Sequence, residues 1–388
     1  MSQQSFRELG VSRPVVDALA ARSITHPFRI QELVLPDALA GLDVLAKSPT
    51  GSGKTLAFAI PIVERTMPSD RRPSALVLVP TRELASQVTE DFEPIAKVKG
   101  LSVAAVYGGI PLRAQAKRCK SAQILVATPG RLQDLSDRRM VDLSGVRTFI
   151  LDEADRMLDM GFQPQVDRIV KQLPRNRQTM FFSATLDGRV GELARAYTNS
   201  PARIEGESSS LQPAEIDHQF VSVTDDNKVE TLVEHIRTSD STLVFVRTKR
   251  GADRLVRKLE RHGVKAAAMH GDMSQKARER ALQQFESGKV ATLVATDVAA
   301  RGLDLEDISH VINFDPPDED KGYVHRTGRT GRAGRSGTAI TFVLPDQQAE
   351  TSRVARRLGH QEQFEGAGMR SAPAKLLYTS RRGRRSKW

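Results

Sequence analysis

Short apolar runs alternate with longer amphipathic stretches along the first half of the chain. The stretches, such as residues 82–97, have the length and the spacing of apolar positions expected of helices. The runs do not alternate between apolar and polar residues, which is typical of strands buried on both faces of a parallel sheet. They cover residues 43–46, 75–79, 103–107, 124–127, 148–151 and 179–182. Strands that alternate with helices predict a doubly wound α/β domain.

The alternation is interrupted at residues 206–210, where the small polar sequence Gly-Glu-Ser-Ser-Ser indicates a linker. A second series of apolar runs follows, at residues 216–223, 243–246, 265–269, 292–295, 310–313 and 338–344. We therefore predict one α/β domain over residues 1–206, a linker over 207–212 and a second α/β domain over 213–346. Residues 347–388 are predicted to form a helix, at 347–358, followed by a basic tail that is disordered without a partner.

The charge of the chain favours a polyanionic partner. The formal net charge is +11, and seven of the basic residues lie in the acid-free segment 369–388. An excess of this size places nucleic acid first among candidate partners. The single cysteine, Cys119, excludes an internal disulfide framework and fits a reducing compartment. Because we find no signal-peptide pattern and no run of 18 apolar residues, we expect a cytoplasmic protein that does not cross a membrane.

A glycine-containing loop at residues 48–55, Ser-Pro-Thr-Gly-Ser-Gly-Lys-Thr, lies between an apolar run and a helical stretch. Gly51 and Gly53 let the backbone N–H groups curl around a phosphate, and the following helix adds its dipole. Lys54 would reach the β- and γ-phosphates, and Thr55 would offer a hydroxyl to Mg²⁺. The usual pattern begins with glycine or alanine, where this chain has Ser48. The alternative is an ordinary glycine-rich turn between a strand and a helix.

The sequence Asp-Glu-Ala-Asp at residues 152–155 follows the apolar run 148–151 directly. A phosphate loop requires a carboxylate for its metal ion at the end of a neighbouring strand. Asp152 is the candidate for holding Mg²⁺, together with Thr55. Glu153 is then placed to orient the attacking water and to take its proton. By itself, such a group of acids could also be a solvated turn.

An arginine cluster occupies residues 325–332, with the sequence His-Arg-Thr-Gly-Arg-Thr-Gly-Arg. Its arginines are spaced by three and separated by glycines, which makes them poor core residues and good partners for a polyphosphate. Arginine fingers stabilise the charge on a transferred γ-phosphate. Since the glycine-containing loop belongs to the first domain and the arginines to the second, we predict an active site that is complete only when two lobes close. An arginine-rich loop that binds nucleic acid is the alternative.

These segments resemble the DEAD-box family of RNA helicases, within helicase superfamily two, over residues 6–345. The further segments that carry the resemblance are Pro-Thr-Arg-Glu-Leu-Ala at 80–85, Gly-Gly at 108–109, Thr-Pro-Gly-Arg at 128–131, Ser-Ala-Thr at 183–185, Val-Phe-Val-Arg-Thr at 244–248 and Ala-Thr-Asp-Val-Ala-Ala-Arg-Gly-Leu-Asp at 295–304. The resemblance implies two tandem RecA-like domains, each a mostly parallel sheet flanked by helices. It also implies RNA-stimulated hydrolysis of ATP, with Mg²⁺, and local unwinding of short RNA duplexes or remodelling of RNA–protein complexes by ATP-driven closure of two lobes.

The resemblance also implies roles for individual residues in the nucleotide site. Gln31 would read the adenine edge, Phe6 would pack near the base, and Asp304 would bind the ribose hydroxyls. The predicted phosphate contacts are Thr50, Gly51, Ser52, Gly53, Lys54 and Thr55. Arg329 and Arg332 resemble the two fingers, and His325 resembles the group that couples water positioning to closure. Asp155, Ser183 and Thr185 resemble the segment that couples the hydrolytic site to closure.

RNA contacts follow from the same resemblance. The predicted set is Pro80, Thr81, Arg82, Gly109, Thr128 and Arg131 in the first domain, with Arg247, Arg278 and Thr296 in the second. Backbone N–H groups and hydroxyls in loops suit phosphates and 2′-hydroxyls, so we expect RNA binding that is largely independent of sequence. Aromatic residues make up only 5% of the chain, which fits backbone contacts rather than base stacking.

Departures in two segments, and two rival functions, bear on the resemblance. Phe28 stands where the family has threonine, and Ile24 stands where it has an aromatic residue, so the adenine contact is the part affected. Arg247 replaces a commoner asparagine. A DNA helicase of the same superfamily is one rival, but the Asp-Glu-Ala-Asp sequence and Gln31 argue against it. A non-catalytic RNA clamp is the other, and it predicts loss of catalytic residues that this chain retains, namely Lys54, Glu153, Arg329 and Arg332.

Overall fold

A computed structural model of the chain describes residues 4–48, 52–186, 188–205, 216–300, 308–331 and 336–372. Four of the predicted site residues lie outside these ranges: Thr50, Gly51, Asp304 and Arg332. The predicted linker and the tail beyond residue 372 lie outside them too. Two compact units contain the described residues, and each is built around one sheet. The domain limits predicted from the sequence stay predictions.

The first unit has alternating helices and strands along the chain. They are α1 (Arg13–Ala20), α2 (Arg29–Ala40), β1 (Val44–Lys47), α3 (Lys54–Arg65), β2 (Ala75–Leu78), α4 (Arg82–Val98), β3 (Val103–Val106), α5 (Leu112–Ser121), β4 (Ile124–Ala127), α6 (Pro129–Asp137), β5 (Thr148–Leu151), α7 (Ala154–Asp159), α8 (Gln163–Val170), β6 (Gln178–Ser183), α9 (Gly188–Tyr197) and β7 (Ala202–Glu205). The sheet order is β3-β4-β2-β5-β6-β1-β7, and all neighbouring strands are parallel.

Both faces of this sheet carry a hydrophobic core, as the continuous apolar runs predict. Val77 of β2 joins the core that contains Phe58 of α3 and Phe92 of α4. Its neighbours Leu76 and Leu78 join the core on the opposite face. The predicted fold class, parallel α/β sheets flanked by helices, is therefore confirmed. The edge strand β7 was not predicted, because only Ile204 of its four residues is buried and no apolar run marks it.

The second unit repeats the architecture. Its elements are β8 (Ile216–Ser222), α10 (Lys228–Arg237), β9 (Thr242–Phe245), α11 (Lys249–Arg261), β10 (Ala266–Met269), α12 (Gln275–Glu286), β11 (Thr292–Ala295), α13 (Asp297–Ala300), β12 (His310–Asn313), α14 (Asp320–Thr327), β13 (Gly337–Val343), a 3-10 turn (Pro345–Gln347), α15 (Gln348–Arg357) and α16 (Gln361–Gly366). The sheet order is β10-β11-β9-β12-β13-β8, again parallel throughout.

The folded part of the second unit extends further than the single terminal helix predicted from the sequence. After α15, the helix α16 packs on β8, and Phe364 is fully buried against Phe220 with ring centroids 5.4 Å apart. Met369 is buried in the same cluster. In the described residues, no helix is both long and apolar enough to cross a bilayer.

Candidate functional site

The predicted site residues of the first unit gather where its parallel strands end. Lys47 ends β1 before the glycine-containing loop, Leu78 ends β2, Leu151 ends β5 and Ser183 ends β6. Parallel strands present their carboxyl ends at one edge of the sheet, which is where open α/β sheets bind ligands. The topology therefore brings segments that are more than a hundred residues apart in the chain to one edge.

The helix α3 begins at the end of the glycine-containing loop. Gly53 caps the helix with φ of 82°, in the left-handed region that glycine adopts at little cost. The N-terminus of α3 offers N–H groups and a dipole to an anion. Ser48, the departure from the usual pattern, is buried; its N–H donates to Ser183 O at 2.9 Å and its hydroxyl bonds to the hydroxyl of Ser52. The extra hydroxyl is thus used inside the loop.

Lys54 and Asp152 face each other within this site. The Lys54 Nζ atom lies 3.8 Å from Asp152 Oδ1, and both side chains are more than nine-tenths buried. Burial raises the pKa of the Asp152 carboxyl to about 6, although the Lys54 ammonium lowers it; the neighbouring Glu153 carboxylate raises it further. A second cation beside such a buried carboxylate would stabilise its charged form. Thr55 follows in the first turn of α3 and is half-buried.

Glu153 is held in an uncommon backbone conformation at the start of α7. Its φ is 51°, which costs a non-glycine residue about 1 kcal/mol or more. Its N–H donates to Asp152 Oδ1 at 2.9 Å. Its carboxylate accepts a hydrogen bond of 2.6 Å from Arg156 Nη1, and both side chains are almost fully buried. Arg156 was not predicted from the sequence, although its spacing of three residues from Glu153 on a helix was the available signal.

Ser183 connects the segments after β5 and β6. Its hydroxyl oxygen accepts a hydrogen bond from the N–H of Asp155 at 3.3 Å and from that of Thr185 at 3.4 Å. The structure thus places the three predicted coupling residues together in the first unit.

Gln31 lies at the N-terminus of α2, beside the glycine-containing loop. Its Oε1 accepts a hydrogen bond of 2.9 Å from the N–H of Phe28, and its Nε2 donates to Gly53 O at 2.8 Å. A primary amide has two N–H donors and two lone pairs, so one of each remains for an adenine edge. The side chain is only 1% exposed. Phe6 is equally buried, in the core of the first unit, so in this arrangement its ring presents no open face to a base.

The predicted RNA contacts of the first unit lie in the loops of the same edge. Thr81 caps α4 by accepting the N–H of Leu84 at 3.3 Å. The Arg82 guanidinium lies against the glycine pair 108–109, since a Cβ added to Gly109 would lie 2.9 Å from Arg82 Nη1.

The remaining predicted RNA contacts of this unit are bonded or buried within the protein. Arg131 donates to Ile110 O and to Gln115 Oε1, both at 2.7 Å. Pro80 and Thr128 are buried at strand ends. The hydrogen bonds of Arg131 and the burial of Pro80 and Thr128 hold these loops in place.

The predicted site residues of the second domain lie on several separate elements. Thr296 follows β11, and Arg247 follows β9 with its guanidinium 2.9 Å from Asp318. Arg278 lies on α12. His325 lies in α14, and Arg329 follows that helix, its side chain mostly buried.

Arg326, within the arginine cluster, has a structural role that was not predicted from the sequence. It is 4% exposed and binds both carboxylate oxygens of Asp297 at 2.6 Å. It also donates to Asn313 Oδ1 at 3.1 Å and to Asp315 O at 2.6 Å. This arginine fastens α14 to the strand ends, so it differs from the phosphate-binding arginines expected beside it.

Comparison with known proteins gives matches over both units. The family model described as DEAD/DEAH box helicase matches residues 28–193, and the model described as helicase conserved C-terminal domain matches residues 227–334. The chain is 41% identical over 345 residues to the DEAD-box ATP-dependent RNA helicase CshA of Streptococcus pneumoniae, covering 88% of this chain and 66% of that protein. It thus spans just under two thirds of the length of that relative.

Two further similarities extend the comparison. The ATP-dependent RNA helicase DbpA of Bacillus subtilis is 40% identical over 361 residues, which cover 92% of this chain and 75% of that protein. Among solved structures, S. cerevisiae Dbp5 bound to RNA and ADP BeF3 is similar with a TM-score of 0.79 and 30% identity, covering 95% of each chain.

Proposed function

The chain belongs to the DEAD-box family of ATP-dependent RNA helicases, and on that premise we propose that it hydrolyses ATP to ADP and phosphate when RNA is bound. The work done is local separation of short RNA duplexes, or remodelling of RNA–protein complexes, by closure of two lobes. One observation carries this proposal. Lys54, Asp152 and Glu153 meet at one edge of a parallel sheet, beside the N-terminus of α3.

Several residues of the first unit argue for a nucleotide site. The N-terminus of α3 and the Lys54 ammonium bind the phosphates, since both offer positive potential at close range. Gln31 and Phe28 lie on the side of Gly53 where the base would follow. The ribose contact of Asp304 and the phosphate contacts of Thr50 and Gly51 rest on the sequence motifs alone.

Mg²⁺ fits the donor set of this site. Asp152 and Thr55 supply a carboxylate and a hydroxyl, the hard oxygen donors that Mg²⁺ prefers, and the ion keeps most of its other positions for phosphates and water. The structural observation behind the assignment is that the Asp152 carboxylate is almost fully buried, with the Lys54 ammonium 3.8 Å from its Oδ1 atom. When bound with ATP, Mg²⁺ would offset the charge on the β- and γ-phosphates.

Glu153 orients the attacking water and takes its proton. Arg156 holds the Glu153 carboxylate through the 2.6 Å hydrogen bond. The backbone N–H of Glu153 donates a second hydrogen bond, to the Asp152 carboxylate. The fingers Arg329 and Arg332, with His325, are proposed from the sequence to complete catalysis on lobe closure.

RNA is the proposed polymer, bound through its backbone and largely without regard to sequence. The loops that carry Thr81, Arg82 and Thr128 lie at the strand ends of the first unit. Hydroxyls, guanidinium groups and backbone N–H groups recognise phosphates and 2′-hydroxyls. The name of the yeast structure states that Dbp5 was bound to RNA, which supports the same class of ligand here. We also propose a cytoplasmic location, as expected from the sequence.

The test measures ATP hydrolysis against the concentration of single-stranded RNA, and ATP-dependent separation of a short labelled RNA duplex. We expect hydrolysis to rise with RNA to a plateau, and Lys54→Ala to abolish it. Lys99→Ala is the matched control, because Lys99 pairs with Glu64 at 2.9 Å in the same unit but away from the loop.

Each rival function predicts a different outcome of this test. Equal stimulation by single-stranded DNA would favour a DNA helicase of the same superfamily. RNA binding without hydrolysis in the wild type would favour a non-catalytic clamp. An RNA-stimulated activity that survives Lys54→Ala would show that the assigned phosphate site is not the catalytic one.

A further inference from the structure

An exposed aromatic ring stands beside the proposed nucleotide site. In the described part of the chain, the exposed large hydrophobic side chains are Phe28, Leu42, Met67, Val98 and Val324. Phe28 is the aromatic one and is 63% exposed. Single exposed hydrophobic residues are ordinary on a protein surface, so position must decide whether this one has a role.

The position of the Phe28 ring is defined by its contact with the glycine-containing loop. A Cβ added to Gly53 would lie 2.4 Å from Phe28 Cδ2 and 2.7 Å from Gln31 Nε2. Both side chains therefore close on the residue that immediately precedes Lys54. One part of the ring contacts the loop, and most of its surface is open to solvent.

The backbone of Phe28 is fixed. Its C=O accepts the N–H of Gln31 at 2.8 Å and that of Glu32 at 3.0 Å, and its own N–H donates to the Gln31 amide. Phe28 thus caps α2, with an extended conformation of φ −73° and ψ 158°. A ring with only two side-chain torsions on a fixed backbone loses little entropy when a ligand binds to it.

Gln31, by contrast, already uses both ends of its amide within the protein and is 1% exposed. It ties the start of α2 to Gly53, whereas Phe28 offers the accessible surface. Every nucleobase has a π-face that stacks on an aromatic side chain, and such stacking contributes on the order of 1–3 kcal/mol per base.

We propose that the Phe28 ring stacks on the base of the bound nucleoside triphosphate and contributes to its binding affinity. The inference rests on the proposed function, because it assumes that a nucleotide occupies the glycine-containing loop. Two residues then contribute differently to binding of the base. Phe28 supplies affinity that purine bases share, and the Gln31 amide distinguishes between them.

The experiment measures the KM for ATP and for GTP at saturating RNA, together with the inhibition constant of inorganic triphosphate against ATP hydrolysis. Inorganic triphosphate has the phosphates but no base, so it isolates the loop. For Phe28→Ala we expect the KM for ATP and for GTP to rise by a common factor of about ten, the effect of about 1.4 kcal/mol. We expect the inhibition constant of triphosphate to stay unchanged.

Two further variants sharpen the result. Phe28→Trp keeps a stacking surface and should keep the KM of the wild type. Met67→Ala removes a side chain of similar exposure, 60%, from the same unit and should change none of the three constants. Thermal unfolding of Phe28→Ala should match the wild type, because most of the ring is exposed.

Two outcomes would overturn the proposal. One is a KM for ATP that is the same in Phe28→Ala as in the wild type. The other is a parallel rise in the inhibition constant of triphosphate, which would show that the ring supports the loop rather than the base. A wild-type protein that does not hydrolyse ATP at all would instead refute the proposed function, so the two failures are distinguishable.

Discussion

The buried ion pair between Arg156 and Glu153 gives a stability prediction that the structure makes quantitative. Arg156 Nη1 lies 2.6 Å from Glu153 Oε2, and the side chains are 10% and 7% exposed. Arg156→Met keeps an unbranched side chain of similar length and removes the charge. The Glu153 carboxylate then stays buried without this partner.

The expected loss of stability follows from the burial of the ion pair rather than from the distance between its atoms. Breaking a buried pair by removing one partner costs about 3–5 kcal/mol, because the remaining charge is poorly solvated. Adding Glu153→Gln removes that charge, so the double variant should recover most of the loss. The matched control is Arg71→Met. Arg71 also lies 2.6 Å from its partner, Asp142, but the two side chains are 64% and 62% exposed. Exposed pairs contribute only about 0–1 kcal/mol.

Urea unfolding, followed by circular dichroism, measures these differences through the midpoint and slope of the transition. The four proteins needed are the wild type, Arg156→Met, the double variant and Arg71→Met. We expect the free energy of unfolding to fall strongly only for Arg156→Met. If Arg156→Met costs no more than Arg71→Met, or if the double variant is as unstable as the single one, the burial argument is refuted.

Three further predictions concern the nucleotide site and the second unit. Arg329→Ala should leave the affinity for ATP nearly unchanged and lower turnover by about 10³-fold, as expected for a finger; near-normal turnover would contradict this role, and Arg357→Ala, in an exposed pair with Asp320, is the control. Gln31→Ala should reduce the preference for ATP over GTP in KM, a ratio that Phe28→Ala leaves constant. Burial, with a smaller effect of His360, lowers the pKa of His218 to about 4 from 6.5. Neutral His218 therefore contributes stability above about pH 6.5, and this stability is lost as the pH falls towards 4. The unfolding midpoint of the wild type should drop more between pH 7.5 and 5 than that of His218→Gln. An equal drop in the two proteins would exclude His218 as the cause.

The strands were predictable because burial on both faces of a parallel sheet forces continuous apolar sequence. The runs at 75–79, 124–127 and 148–151 correspond to β2, β4 and β5, whose residues are all buried. The edge strand β7 lacks that constraint, since one of its faces and one of its sides are open. Its polar sequence therefore gave no signal, and only the pairing with β1 defines it.

The positions of many site residues were also predictable, but their bonding partners were not. A residue that directly follows a buried parallel strand must lie at the carboxyl edge, which places Asp152 and Thr128 from sequence alone. Whether a polar group at that edge faces a ligand or another loop depends on tertiary contacts. The sequence does not reveal that Arg326 forms an ion pair with Asp297. Nor does it reveal that the Gln31 amide donates a hydrogen bond to the Gly53 carbonyl.

Such internal bonds connect the loops of the site to one another. The Ser183 carbonyl accepts the N–H of Ser48, and its hydroxyl accepts the N–H of Asp155. Gln31 joins the start of α2 to Gly53 by a hydrogen bond of 2.8 Å. Ser48 and Gly53 of the glycine-containing loop are therefore bonded directly to the end of β6 and to the start of α2, and through Ser183 to the segment after β5. Each bond is with a backbone group, so the connection depends on the position of the loop more than on the identity of its side chains. Phe28 differs from these residues, because its ring adds a surface to the site without closing another internal hydrogen bond.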